Sequence, residues 1–163
     1  MAKAEIALLL AMIEQAYDRK SWHGTNLKGS IKGLDVITVS WRPAPDRHNI
    51  WEMVVHAAYW KYIVRRRLLS EAKGSFPLKG SNWIRRPTSA EVDPKVWKAE
   101  VKLLEETHEQ LVEAVSSLNP REIDFTPPGS KVSNLALLTG ISAHDLYHAG
   151  QIQLLKRLAR QGR

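Results

Sequence analysis

The chain has no cysteine. Disulfides and thiolate ligands are thereby excluded, and any transition metal must be held by histidine, aspartate or glutamate. The absence fits a reducing compartment. No apolar run approaches the ~20 residues that a membrane-spanning helix needs. The opening stretch, MAKAEIALLLAMIEQAYDRK, has a short apolar run, but Glu5, Glu14 and Asp18 interrupt it and no small-residue cleavage signal follows. It reads as a first helix and not as a signal peptide. The cytoplasm is the expected location. Strand signals are few, and there is no internal repeat, low-complexity tract, helix-turn-helix pattern or RNA-binding motif.

What is present is ordinary in bulk. With 163 residues, 44% hydrophobic and 25% charged, the chain is expected to form one domain, 1–163, with a real core. The net charge is +7. A basic balance can serve nucleic acid or an acidic partner. The cations are dispersed, however: Lys61 and Arg65 to Arg67, then Arg85 and Arg86, then Lys156, Arg157, Arg160 and Arg163. The densest run closes a helical segment, where positive charge complements the dipole. They read as a solvated surface, and neither nucleic acid nor a membrane is the expected partner.

Four segments carry helical periodicity. The first, about Ala4 to Arg19, puts Ile6, Leu9, Leu10, Ile13 and Tyr17 on one face. The second, about Arg47 to Ala72, has Met53, His56, Trp60 and Ile63 in one row. The third opens after Asp93-Pro94, an N-cap followed by proline at the first helical position, and stops at Asn119-Pro120. The fourth, about Ser133 to Ala159, aligns Leu138, Ile141, Asp145, His148, Ile152, Leu155 and Ala159. The expected fold is all-α, a four-helix bundle with long connections after the first and second helices. The first connection, Trp22 to Asp46, has room for a short extra helix at its start. The second, Lys73 to Val92, reads as a loop excursion, and loops this long are often functional.

His144 and His148 lie four residues apart in HDLYHAGQ, so on a helix they point the same way. His56 lies in the row of the second segment. If the two segments face each other, three imidazoles converge, and three neutral nitrogens plus an open position describe a catalytic metal site. The rival reading is three separately hydrogen-bonded core histidines. Asp145, inside the apolar row, is a candidate to accept the free N–H of a ligand imidazole; a rim-exposed aspartate is the alternative. Gln151 is a weaker candidate for that role. Tyr147 is placed to donate a hydrogen bond near the metal, though packing explains it equally well. Asp145 and Tyr147 are thus the candidate catalytic residues. His108 and His23 are lesser candidates to reach the site, Glu52 reads as a solvated helix start or a base, and His48 as surface. The metal is expected to be zinc first, with nickel or iron as alternatives.

WHG after the first helix, the W-E-x-x-x-H-x-x-x-W of the second and the closing HDLYHAGQIQLLK together resemble the DinB-like family, which includes the YfiT-type metal-dependent enzymes. The likeness runs from about Tyr17 to Lys156. It implies a four-helix bundle, a divalent metal on His56, His144 and His148, and a homodimer. It also implies a small-molecule substrate and either hydrolysis or S-transfer from a low-molecular-weight thiol. A non-catalytic metal-stabilised scaffold, or a nucleic-acid-binding module using the basic surface, is the competing class.

Overall fold

The computed structural model describes residues 2–72, 74–88 and 93–161. Lys73, residues 89–92 and Arg163, to which parts of the sequence reading extend, lie outside the described residues. Every regular element among the described residues is helical, as the periodicity implies. In chain order the α-helices are α1 (Ala2–Tyr17), α2 (Leu27–Ile31), α3 (Val36–Ser40), α4 (Ile50–Leu68), α5 (Pro94–Ser116) and α6 (Asn134–Gln161), with a 3-10 turn at Pro120–Glu122. The four long ones correspond to the four periodic segments. The connection after α1 holds two short helices where the sequence suggests one.

Capping explains where these elements begin. Asn49 is buried at the start of α4, and its side-chain oxygen accepts the Glu52 N–H at 2.8 Å. Asp93 accepts the Lys95 N–H at 2.8 Å, with Pro94 opening α5. Asn26 and Asp35 cap α2 and α3 in the same way. Each such cap is worth about 1 kcal/mol. Arg65, Arg66 and Arg67 fill the last turn of α4, where cations complement the helix dipole.

Helix α4 packs on α5 and α6, and α1 packs on α6 and α5. The apolar core falls into two clusters. One includes Trp51, Val54, Ala58, Leu104 and Ala149; the other includes Ile13, Val64, Leu111 and Ile141. Along α4, α5 and α6 the change from one cluster to the other falls at Lys61, His108 and Asp145, all buried. Tyr17 of α1 joins them. Lys61 forms an ion pair with Asp145, and its ammonium lies 4.9 Å from the centre of the Tyr17 ring. Tyr17 stacks on His108 with ring centres 3.8 Å apart. Each long helix therefore contributes one member of a buried polar layer. Lys61 corrects the sequence reading: it is fully buried and is not part of the cationic surface.

Candidate metal centre

Because α4 and α6 lie side by side, the His56 row of one meets the His144–His148 row of the other. His144 Nε2 is 3.0 Å from His56 Nε2 and 3.1 Å from His148 Nε2. One ring nitrogen from each of the three histidines lies within 4.8 Å of the others. His56 and His148 are buried and His144 half-buried.

The outer nitrogens decide the tautomers. His56 Nδ1 lies 3.1 Å from the carbonyl oxygen of Asn82, and His148 Nδ1 lies 2.7 Å from Gln151 Oε1. Both partners only accept, so both Nδ1 atoms carry the proton and both Nε2 atoms present lone pairs. Burial disfavours the imidazolium. It holds His56 down to about 4, against the opposing Asn82 hydrogen bond, and His144 down to about 3, helped by its histidine neighbours. His148 is lowered for the same reason, with the Gln151 hydrogen bond opposing. The three rings are therefore neutral near pH 7. Two facing lone pairs then compete for at most one Nε2–H, that of His144. A cation at the centre resolves this, because it accepts all three lone pairs together. Nitrogens about 2.1 Å from one ion stand about 3.0–3.4 Å apart at octahedral to tetrahedral angles, and the two spacings at His144, 3.0 and 3.1 Å, match this. The residues present fit a divalent transition metal.

The loop before α5 fixes the outside of His56. Trp83 stacks on His56 with ring centres 3.7 Å apart and 5° between planes. Its other face carries His48 at 3.7 Å and 8°. Asn82, at φ 56°, offers its carbonyl to His56, while its side-chain oxygen accepts the Trp60 indole N–H at 2.9 Å. His48 in turn bonds Glu52 at 2.9 Å. Glu52 is buried, bonds Arg42 through both carboxylate oxygens and accepts the Arg86 backbone N–H at 2.9 Å. Its burial would raise its pKa, but these hydrogen bonds outweigh it and hold the carboxyl at about 2.

Several sequence readings are revised. Asp145 does not accept from an imidazole. It lies one helical step, about 100°, round α6 from His144 and is fully buried, where Lys61 takes one oxygen; the other has no partner among the described residues. Gln151 fills the role sketched for Asp145. Tyr147 keeps its expected place beside the centre, exposed and with its ring edge-on to His148 at 5.2 Å. His108 stacks on Tyr17 away from the centre, and His23 is exposed beside Ser21. Glu52 is no solvated helix start, and His48 is half-buried against Trp83. Asn82 and Trp83 belong to the site although no spacing pattern marks them. The only sequence signal for them was their place in a long, aromatic-bearing loop.

With the geometry established, the family can be stated. The family model of the DinB superfamily matches residues 21–152, which include all three histidines. The chain belongs to the DinB superfamily. No curated protein and no solved structure matches it. In this DinB-superfamily chain the trio, Gln151 and the loop carrying Asn82 and Trp83 all fall inside the matched span. Among the described residues, no helix is long and apolar enough to cross a membrane.

Proposed function

We propose that this DinB-superfamily chain is a divalent-metal-dependent enzyme in which His56, His144 and His148 hold the ion, zinc in the first instance. It acts on a small electrophilic substrate with water or a low-molecular-weight thiol, as a hydrolase or a thiol S-transferase, and works as a cytoplasmic homodimer. The observation that carries the reading is the tautomer pattern: two Nδ1–H groups are engaged by Asn82 and Gln151, which leaves Nε2 lone pairs directed at one point. A divalent ion bound there supplies Lewis acidity and lowers the pKa of water or of a thiol. The chain supplies the rest. Asn82 and Gln151 fix the rings, burial keeps them neutral, and Trp83 shields one face of His56. Tyr147, exposed beside His148, is the proposed proton donor to substrate.

Metal analysis of untagged protein tests the site, because nickel loads from affinity resin. His148→Ala is expected to lose nearly all bound metal; full retention would end the reading. Incubating metal-loaded protein with an electrophile, with a thiol or with water alone, separates the reactions. Turnover only with thiol marks S-transfer, and turnover in water alone marks hydrolysis. No turnover in either arm, with metal bound, leaves the scaffold reading. Tyr147→Phe is expected to lower turnover without altering metal content.

A further inference from the structure

We infer that the substrate of this centre carries an apolar arm, seated in the groove between α4 and α6 that runs up to His144. The inference rests on the three-histidine reading and adds the class of molecule it takes. The groove has a volume of about 150 Å³. Trp60 and Val64 form its α4 wall, Leu137 and Ile141 line its α6 side, and Ala136, Gly140 and His144 complete it. Those last three are four residues apart in turn, so they form one row along α6, about 12 Å from end to end, with His144 at its C-terminal limit.

The chemistry of this surface is one-sided. Apart from His144, the lining side chains hold a single polar atom, the Trp60 indole N–H, and Asn82 Oδ1 already accepts it at 2.9 Å. A charged or hydroxyl-rich molecule finds no side-chain partner there. A Cβ at Gly140 meets nothing within 4 Å, so this position faces free space in which a larger side chain fits. Two larger cavities touch none of the trio, and both mix apolar walls with charged side chains. One of about 720 Å³ sets four lysines, Asp18 and Glu105 around Leu34 and Trp97, and one of about 570 Å³ sets Arg66, Arg67 and Lys79 beside aromatic rings. The groove at His144 therefore differs from both in carrying no charged side chain, and the histidine centre opens onto hydrocarbon-like surface. At roughly 30 Å³ for each water-sized group, the groove takes an arm of about five carbons.

The probe is a series of straight-chain alkyl hydroxamates, two to eight carbons long, titrated into the full cobalt-loaded chain and followed by visible absorption. Affinity is expected to rise about two- to fourfold per added methylene and to level off after about five. Gly140→Leu and Ala136→Leu, two exposed helix positions, fill the row. Each is expected to flatten the series while leaving acetohydroxamate affinity and cobalt content unchanged. A series already flat in the wild-type chain, or one that neither variant alters, overturns the inference. So does conversion of a dimer to a monomer by these variants, which would mean that a second copy covers the groove. A chain that takes up no cobalt fails at the three-histidine reading instead, which keeps the two failures apart.

Discussion

A neutral imidazole has one N–H and one lone pair to place, so the partner of the first sets the direction of the second. At His148 that partner is Gln151, a half-buried residue one turn further along α6. Gln151→Ala is expected to weaken metal binding about 10- to 100-fold in chelator competition, with little change in the stability of the metal-free chain. Gln151→Glu keeps an acceptor and should keep affinity. Equal affinity in the alanine variant would show that Gln151 does not orient the ring. Asp145 presents a different residue-scale problem. Its place in the apolar row made burial legible, but periodicity specifies a face and not a neighbour, so Lys61 could not be read as its partner. Removing one member leaves a buried charge alone. Lys61→Ala or Asp145→Ala is therefore expected to cost about 3–5 kcal/mol in denaturant unfolding, and the double variant Lys61→Met with Asp145→Leu to recover most of that.

At the scale of elements, the helices and the loops differ in how much of them is written locally. The four long helices were legible because their apolar rows repeat over many turns, and α5 was marked at its start by Asp93-Pro94. Helices α2 and α3 were not resolved one from the other, since five residues are too few to show a period; only the caps Asn26 and Asp35 announce them. The trio was legible because HxxxH fixes two ligands within one helix. The Asn82-Trp83 segment was not, because it reaches His56 through a positive φ and a stack, neither of which leaves a spacing pattern. This segment is expected to act as a latch on the ligand. Trp83→Ala should weaken metal binding about tenfold by freeing the His56 ring. Asn82→Ala must hold an alanine in the left-handed region, at a cost of about 1 kcal/mol, and should weaken binding too. Asn82→Gly tolerates that φ and keeps the carbonyl in place, so its affinity should stay near wild type. Alanine and glycine variants of equal affinity would remove the latch.

For the whole molecule, the buried polar layer and the centre together predict where acid acts. Burial, aided by the charges of Lys61 and Lys28, lowers His108 from 6.5 to about 3, and His56 and His144 are lowered to about 4 and about 3. Below pH 6.5 the unfolded chain binds protons that the folded chain refuses. Stability is thus fully present above 6.5 and falls as pH drops towards the folded values, by up to about 1.4 kcal/mol per pH unit for each histidine. Glu52 has the same sign in a lower window. Its carboxyl moves from 4.5 to about 2, so its contribution is lost only between those values. The metal-free chain is therefore expected to lose stability between pH 7 and pH 5, before the carboxylates protonate. His108→Phe keeps a ring against Tyr17 and removes one titrating group. Its unfolding free energy should fall less steeply over that range, by about one proton's worth of slope. A wild-type profile that is flat from pH 7 to pH 5 would show that these rings are not held neutral, and the lone-pair argument for the centre would fail with it.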